Sequence, residues 1–527
     1  MRASNHKNFL PLFFAIGIVL GILVGSFYAS RFSGYRLNII SSSSDKINDL
    51  LHVINDEYVD DVDISELVEK SLPQILKELD PHSTYIRKDE VETAMQELNG
   101  YFSGVGIQFM MLHDTVNVTR VIAGGPAEGC GILPGDRIIA TDDSTLVGKD
   151  MTSDKAMKRL KGPANSVVKL KIFRPRENKT LDVKVVRGAV PLQSIDAVFM
   201  LDRETGYVRV KSFAETTYAE FVAALARLET SNFKKLVIDL RGNLGGYMQT
   251  AVQMANEFLP KGRLIVYTQG RTSSRDNMYS DGRGAYQNLP LTVLVDETSA
   301  SASEIFAGAM QDNDRGTIVG RRTFGKGLVQ VPIEFRDGSL VRLTKSRYYT
   351  PSGRCLQKPY TPGDNEAYEN DFLQRENNGE LFSADSIKHS DETYKTVGGR
   401  IVYGGGGIIP DVFVPIDTLG WTSYYKQAVL DGLVARFAYE YADRHRAELE
   451  NKGDALVKHL KSQRLPELFA TYAEKEGLRR RHNLLKQSYS LFERAIIASV
   501  VTDIQGVEEA ARYLAIKDKD ILKALNR

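Results

Sequence analysis

From Pro191 onward the chain alternates short apolar runs with amphipathic helical patterns. The run KLVIDL precedes YMQTAVQMANEFL, and LTVLVDE precedes ASEIFAGAM. Strand-like runs that alternate with helices imply βαβ units, in which each helix returns the chain to a parallel strand. The pattern therefore predicts a mainly parallel α/β sheet. A hairpin that turns at Asp337-Gly338 is expected to follow it.

The segments on either side of this region have different patterns. Between Tyr101 and Val190, short β-like runs are separated by Gly, Pro and Asp turns and interrupted by one helical stretch, TSDKAMKRL. This predicts a small β-rich module. Helical periodicity dominates Asp45–Asn99 and Trp421–Arg527. The polar and charged segment Pro362–Val397 is predicted to be a surface insertion or a mobile loop.

Composition narrows the functional classes. The 527 residues carry a net charge of +1, which provides no basic surplus for a nucleic-acid groove. Cys130 and Cys355 are too few for a disulfide framework or a cysteine-rich metal site, and whether they pair stays open. The eight histidines show no H-x-x-H or H-x-x-x-H spacing. We therefore expect no metal, no cofactor and no nucleic-acid partner.

The N-terminus contains a candidate membrane segment. After a short tail of residues 1–8, Phe9–Ala29 runs for 21 residues without a charge, which is long enough to span a bilayer. A poor cleavage site near Ala29 favours an uncleaved signal anchor over a cleaved signal peptide. Within this segment, glycine occurs at every fourth position, at Gly17, Gly21 and Gly25. This spacing either lets two such helices pack closely, as in a homodimer, or reflects the ordinary frequency of glycine in membrane helices.

Three alternate serines precede a helical pattern in SASASEIFAGAM. If the helix begins at Ala302, Ser301 lies on the turn between strand and helix, where free N–H groups stabilise negative charge. Ser303, already inside the helix, would point away from the turn, and Ser299 would lie two residues before Ser301. The alternative is structural, because Ser301 and Glu304 form an S-x-x-E capping box.

A lysine downstream favours catalysis. In RTFGKGLVQ, Lys326 lies between two glycines at the start of a β-run, close enough in sequence to return beside the start of the helix. A lysine can act as general base if burial makes it neutral. The even spacing from Lys326 to Gln330 predicts that both side chains share one strand face. Gln330 then either orients the amine or is a surface residue.

A glycine-rich turn offers further N–H donors. In LVIDLRGNLGGYMQTAV a strand, a turn and a helix start follow one another, so the N–H of Gly245 or Gly246 could join that of Ala302 in an oxyanion hole. We place Gly245 first. The alternative is a tight βα connection that needs glycine for its positive φ.

Together these segments resemble the carboxy-terminal processing peptidases, the tail-specific serine proteases that carry a PDZ domain. LDPHSTYI and YGGGGIIPDV are also similar to stretches of that family. The resemblance implies that Ser301 is the nucleophile, Lys326 the general base and Gln330 the residue that orients the lysine. It implies an oxyanion hole at Ala302 with Gly245 or Gly246, and a ClpP/crotonase-like α/β protease core.

The β-rich module then resembles a PDZ domain. YFSGVGIQF would be its carboxylate-binding loop, and PAEGCGILPGDRI resembles its helix-and-turn segment. Lys161 stands where relatives are expected to carry an arginine. In this interpretation main-chain N–H groups of the loop bind the terminal carboxylate of a substrate, and the peptide adds to the sheet as a strand. The loop residues are Ser103, Gly104, Val105 and Gly106. An ordinary glycine-rich turn is the alternative.

The expected protein is a membrane-anchored serine endopeptidase that recognises substrate C-termini. Its catalytic part would lie on the periplasmic or extracytoplasmic side of the cytoplasmic membrane, and an adaptor protein is a further candidate partner. The alternative function is a membrane-tethered PDZ scaffold with a non-catalytic core. A trypsin-like PDZ protease is disfavoured because Leu244 occupies the serine position of its motif. The expected order is a membrane anchor at 9–29, a helical region at 45–99, a PDZ domain at 100–188, a protease core at 189–420 and a helical domain at 421–527.

Overall fold

The computed structural model describes residues 37–142 and 144–526. The apolar segment 9–29, expected to anchor the protein, lies outside these residues. Across the described ranges, no helix combines the length and the apolar character needed to cross a bilayer. The described part of the chain divides into two compact units, one that ends at Leu76 and one that begins at Lys77. The first contains helix α1 (Leu37–Glu57) and nearly all of α2 (Ile64–Lys77).

The β-rich module predicted between Tyr101 and Val190 is present. Five strands lie in the order β3-β4-β5-β7-β8 with β6 beside β5, and β2 pairs with β9 where the chain enters and leaves. Helix α4 covers the sheet with Ala156 and Leu160. The elements up to this point are β1 (Thr84–Ile86), α3 (Lys88–Asn99), β2 (Tyr101–Gly104), β3 (Ile107–Leu112), β4 (Thr115–Val121), β5 (Arg137–Thr141), β6 (Ser144–Thr145), α4 (Ser153–Leu160), β7 (Val167–Arg174), β8 (Lys179–Val186) and β9 (Gly188–Pro191).

The predicted parallel sheet forms the centre of the following region. Its strand order is β10-β11-β12-β15-β16-β21, antiparallel only between β10 and β11. The elements are β10 (Ile195–Met200), β11 (Thr205–Val210), α5 (Thr217–Glu229), β12 (Lys235–Asp239), α6 (Met248–Asn256), β13 (Leu264–Gln269), β14 (Asp276–Tyr279), β15 (Leu291–Val295), α7 (Ala302–Asp312), β16 (Thr317–Gly320), β17 (Leu328–Glu334), β18 (Leu340–Tyr349) and, later in the chain, β21 (Val412–Phe413).

Both faces of this sheet are buried, which explains its nearly continuous apolar strands. Ile238 and Val293 face helices α5, α6 and α7. Val237 and Leu294 face the opposite way. A second, antiparallel sheet has the order β1-β18-β13-β14, with the predicted β17–β18 hairpin at its side.

The charged segment 362–397 is folded. It contains α8 (Asn365–Glu369), α9 (Asp371–Asn377) and β19 (Thr393–Lys395), and β19 pairs with β20 (Ile401–Tyr403). Tyr368, Arg375 and Glu380 are each less than a tenth exposed. The prediction of a surface insertion or mobile loop missed this buried contact, because a segment with few aliphatic residues is here held by ion pairs such as Arg375–Glu380.

The C-terminal region is helical, as predicted. Most of its helices share one core, centred on Phe437, Phe469 and Phe492. The last two helices also cover the free face of the parallel sheet with Ala511 and Ile521. The helices are α10 (Ser423–Leu430), α11 (Leu433–Glu450), α12 (Leu456–Ser462), α13 (Leu465–Lys475), α14 (His482–Gln505), α15 (Val507–Ala515) and α16 (Lys519–Leu525).

The helical region also contacts the β-rich module through polar groups. Arg137 pairs with Asp443 at 2.5 Å, and Arg120 donates to the Thr502 carbonyl at 2.8 Å. These contacts link the module to α11 and α14 through an ion pair and a hydrogen bond. Cys130 and Cys355, whose pairing the sequence left open, are free thiols.

Ile521→Ala should destabilise the protein more than Leu522→Ala. Ile521 is 2% exposed against the sheet, whereas its neighbour Leu522 is 43% exposed. We expect a loss of about 2–5 kcal/mol for Ile521→Ala and under about 1 kcal/mol for Leu522→Ala. Thermal and urea unfolding of both variants provide the measurement. Equal losses would show that α16 does not stabilise the sheet.

Candidate active site

Ser301 lies on the tight turn between β15 and α7. Its φ of 55° and ψ of −113° are a combination that side-chain-bearing residues seldom adopt, so the surrounding structure must hold it there. Ala300 and Ala302 are buried, while Ser301 is partly exposed. The turn therefore presents Ser301 at the N-terminal end of α7, where negative charge is stabilised.

The other two serines have structural partners. Ser299 Oγ donates to the Leu240 carbonyl at 2.8 Å, and Ser303 Oγ donates to the Asn243 carbonyl at 3.0 Å. Both side chains are fully buried. Their hydroxyls tie the Ser301 turn to the glycine-rich loop, so Ser301 is the serine of the three that remains accessible.

The Glu304 carboxylate connects the serine turn to the lysine loop. It accepts hydrogen bonds from the N–H groups of Ser301 (2.9 Å), Gly325 (2.8 Å) and Lys326 (2.9 Å), and from Thr323 Oγ1 at 2.5 Å. Ser301 and Glu304 have the arrangement of a capping box, in which the Glu304 carboxylate accepts from the main-chain N–H of Ser301, the N-cap residue. Burial raises the pKa of Glu304 to about 7, against the opposing effect of these donors.

Lys326 is half-buried in the irregular loop before β17. Burial lowers the pKa of its amine, with a further lowering from the Arg342 charge, while Asp80 and Glu304 act in the opposite direction. Its Nζ donates to Gln330 Oε1 at 3.0 Å. No hydrogen bond joins Lys326 Nζ to Ser301 Oγ, both of which are described. The lowered pKa favours the neutral form of the Lys326 amine, but this amine forms no hydrogen bond with the Ser301 hydroxyl.

The predicted Lys326–Gln330 contact is present, although Lys326 lies just before β17 begins at Leu328. The register of the β17–β18 pair shifts at Gln330, but the extra residue, Lys345, lies on β18. The residues of β17 therefore keep their regular alternation.

Residues far away in sequence complete the surroundings of the lysine. Gln330 Nε2 donates to the His82 carbonyl, and His82 Nε2 lies 2.8 Å from the Tyr368 hydroxyl. The Tyr348 hydroxyl lies against the carbonyls of both Ser301 and Lys326. Sequence analysis missed these residues as site components; LDPHSTYI pointed to the His82 segment only through its resemblance.

The glycine-rich loop packs directly against Ser301. A Cβ on Gly245 would lie 2.7 Å from Ser301 Cβ, and one on Gly246 would lie 2.2 Å from the Phe213 carbonyl oxygen. Both glycines have positive φ, 101° and 143°. The Gly245 N–H donates to Asn243 Oδ1 at 2.8 Å. For the N–H groups of Gly246 and Ala302, no hydrogen bond is found among the described residues.

Arg241 fastens the glycine-rich loop to the end of the chain. Its guanidinium binds Asp239 (2.6 Å), Asp518 (3.0 Å) and Asp520 (2.8 Å). The acidic partners hold the pKa of Arg241 well above its usual value, despite burial. The sequence KDKD, which contains Asp518 and Asp520, gives no local indication that it binds Arg241, because Arg241 lies more than 270 residues earlier in the chain.

The four residues of the predicted carboxylate loop lie at the entry to the β-rich module. Ser103 Oγ donates to the Gly162 carbonyl at 2.7 Å, and Gly106 has a φ of 84°. Gly104 ends β2, and Val105 is buried. In the described part of the chain, the N–H groups of Val105 and Gly106 have no hydrogen-bond acceptor. Lys161, next to this loop, donates to Gln96 at 2.8 Å.

The described side chains provide no set of ligands that would indicate a metal site. Within residues 37–142 and 144–526, no group of three or more His, Cys, Asp or Glu side chains is arranged to hold an ion. The polar groups that converge near Ser301 are a lysine amine, a buried carboxylate and main-chain N–H groups. These can stabilise an oxyanion and move a proton.

Three family profiles match the chain. Residues 204–366 match Peptidase family S41, residues 103–185 match the PDZ domain, and residues 424–506 match a family of unknown function, DUF8443. The first range covers the Ser301 turn and the lysine loop. The third range covers most of the helical C-terminal region.

Similar proteins agree with these profiles. A probable CtpA-like serine protease of Staphylococcus aureus is 32% identical over 360 residues, which are 67% of this chain and 71% of that protein. A carboxy-terminal-processing protease of Bartonella bacilliformis is 35% identical over 59% of this chain and 72% of its own. A solved photosystem II D1 C-terminal processing protease is 25% identical and covers 70% of this chain and 92% of its own, with a TM-score of 0.36, too low to support an argument about fold.

The sequence relatives define a serine-type endopeptidase. The chain belongs to the carboxy-terminal processing peptidases of family S41, and it carries a PDZ domain before the S41 region.

Gly245→Ala should abolish activity, whereas Gly242→Ala should largely preserve it. Both glycines have positive φ in the same loop, but a Cβ at Gly242 meets no atom within 4 Å, while one at Gly245 collides with Ser301 and with the Ala300 carbonyl. We expect kcat to fall by about 10²-fold or more for Gly245→Ala, through displacement of the serine turn. Peptide cleavage with circular dichroism as a fold control measures this; equal activity of the two variants would contradict it.

Proposed function

We propose that the protein hydrolyses peptide bonds with a Ser301–Lys326 dyad. The observation that carries this proposal is the Glu304 carboxylate, which binds the main-chain N–H groups of both dyad residues and so holds their loops together. Ser301 Oγ attacks the scissile carbonyl carbon and forms an ester. The Lys326 amine takes the hydroxyl proton and passes it to the leaving amine, and water then hydrolyses the ester.

The environment of Lys326 supports its role as base. A lysine accepts a proton only when neutral, and burial lowers the pKa of Lys326 toward that state. Because the working form is the deprotonated amine, activity should rise with pH through this lowered pKa. The Gln330 amide is oriented by its donation to the His82 carbonyl, so Gln330 presents its oxygen to the amine and leaves the amine lone pair free to face a hydroxyl.

The oxyanion would be bound by main-chain N–H groups of two loops. The Ala302 N–H has no hydrogen-bond acceptor within the described chain and lies at a helix N-terminus. In the glycine-rich loop, Gly245 needs its N–H released from Asn243 to take part, whereas the Gly246 N–H is unengaged. We keep both glycines as donors in the proposal.

The absence of a Ser301–Lys326 hydrogen bond implies a closing step. Catalytic hydrogen bonds often tighten only when substrate binds. We propose that a peptide bound at the PDZ loop and at the active site brings the amine to the hydroxyl. Substrate C-termini would be held by the N–H groups of Val105 and Gly106, which have no acceptor among the described residues, with Ser103 and Gly104 shaping the loop.

We also propose that the enzyme is anchored in the cytoplasmic membrane by residues 9–29, with its catalytic part on the extracytoplasmic side. This rests on the uncharged 21-residue segment alone. The alternative function, a non-catalytic PDZ scaffold, is disfavoured by the presence of a serine, a lysine with a lowered pKa and unengaged N–H groups around one turn.

Ser301→Ala and Lys326→Ala should each lower kcat by more than about 10³-fold without unfolding the protein. Lys345→Ala, at an exposed position on β18, is the matched lysine control and should cleave like the wild type. Initial rates on a tailed peptide, with thermal unfolding of each variant, provide the measurement. Cleavage at the wild-type rate by Ser301→Ala would contradict the assignment of the nucleophile.

A peptide with an amidated C-terminus should bind more weakly than the same peptide with a free carboxylate. The N–H groups of the loop gain charge-assisted hydrogen bonds only from the carboxylate, and their loss should weaken binding by about tenfold. Fluorescence anisotropy with the Ser301→Ala protein measures Kd without cleavage. Equal Kd values would remove carboxylate capture from the proposal.

A further inference from the structure

The folded segment 362–397 reaches the lysine loop. Asp364 caps α8 by accepting from the Ala367 N–H at 3.1 Å, and this short helix places Tyr368 inward with 6% of its surface exposed. The Tyr368 ring packs edge-on against His82 and Phe324, with centroid separations of 5.3 and 6.0 Å. A residue of the segment 362–397 therefore contacts Phe324, in the loop that carries the proposed base, and His82.

The hydrogen bonds of the Tyr368 hydroxyl have a defined direction. Gln357 Oε1 accepts from the Gly327 N–H at 2.9 Å, so Gln357 Nε2 donates to the Tyr368 oxygen at 3.3 Å. We assign His82 the tautomer in which Nε2, 2.8 Å away, accepts the Tyr368 proton, because Gln357 Nε2 can only donate. Burial lowers the pKa of His82 to about 4, which keeps its ring neutral.

Both branches from this hydroxyl end at Lys326. On one side, Gln357 holds Gly327, the residue that follows the lysine. On the other, the main chain of His82 accepts from Gln330, whose oxygen accepts from Lys326 Nζ. The Tyr368 hydroxyl is thus linked to Lys326 by two paths. One runs through the loop that carries the lysine, and the other runs through the Gln330 amide that orients the lysine amine.

We propose that Tyr368 is a positioning residue for the general base, acting through Gln357 and His82 to keep the Lys326 amine oriented and shielded from water. This inference rests on the proposed role of Lys326. It assigns a function to the segment 362–397, whose two helices bring Tyr368 and its neighbours to the active site. Lys358 holds this segment in place through Asp371 at 3.1 Å and through the face of the Tyr368 ring.

Tyr368→Phe tests the proposal because it removes only the hydroxyl. The ring, its packing and its contact with Lys358 remain. Tyr360→Phe is the matched control, since Tyr360 is a nearby half-buried tyrosine whose hydroxyl has no hydrogen bond in the described chain. We expect Tyr368→Phe to lower kcat by about tenfold with KM changed less than about threefold, as for the loss of one buried hydrogen bond. Tyr360→Phe should match the wild type.

The pH profile separates positioning from simple stability. The charged groups that face the Lys326 amine are Arg342, Asp80 and Glu304, with neutral His82 nearby, and Tyr368→Phe changes none of them. A loosened loop admits water, so the pKa of the amine should return toward its ordinary value. The acid limb of the kcat/KM profile should therefore move to higher pH. A fall in Tm with unchanged kcat and pH profile would overturn the proposal.

A double-mutant cycle tests the path through His82. His82→Asn keeps the carbonyl that orients Gln330 but removes the ring that accepts from Tyr368. If the two residues act as a unit, the double variant with Tyr368→Phe should lose no more activity than the more impaired single variant. Additive losses would overturn coupling through this contact.

The outcome also distinguishes this inference from the proposed function. If Lys326→Ala is inactive while Tyr368→Phe equals Tyr360→Phe in kcat and pH profile, the positioning role fails and the dyad stands. If Lys326→Ala cleaves normally, the dyad itself fails. A tenfold loss in Tyr368→Phe with a shifted acid limb supports both.

Discussion

The Glu304 carboxylate is the interaction on which the active-site geometry depends. It is fully buried, yet it has four donors, three of them main-chain N–H groups from the two loops that carry Ser301 and Lys326. A buried carboxylate with fewer donors would be costly, and donors without the carboxylate would be left unpaired. The serine turn and the lysine loop therefore form one connected structure, and the same contacts account for the capping-box pattern and for the proposed catalytic arrangement.

The rest of the site surrounds this contact. Tyr348 lies against the carbonyls of both loops, while Gln330, His82 and Tyr368 extend outward from the lysine amine. The lysine is thus held from several directions by polar groups that orient its amine, and burial lowers the pKa of that amine. No hydrogen bond joins Lys326 Nζ to Ser301 Oγ, so the proposed dyad requires these two groups to approach each other when substrate binds.

Much of this was readable from the sequence where the signal is local. The βα alternation predicted the parallel sheet, and strand, turn and helix patterns placed Ser301 on its turn. The Lys326–Gln330 contact was also expected from local spacing, although Lys326 lies just before the strand that carries Gln330. His82 and Tyr368 could not be predicted as site residues from periodicity, since His82 meets Gln330 across 248 positions and Tyr368 lies in a segment whose polarity suggests a surface.

The ion pairs of Arg241 with Asp518 and Asp520 have a consequence for the order of synthesis. The loop that carries Gly245 obtains part of its electrostatic support from these two carboxylates, which lie 277 and 279 positions after Arg241. A nascent polypeptide therefore lacks that support until both residues have left the ribosome.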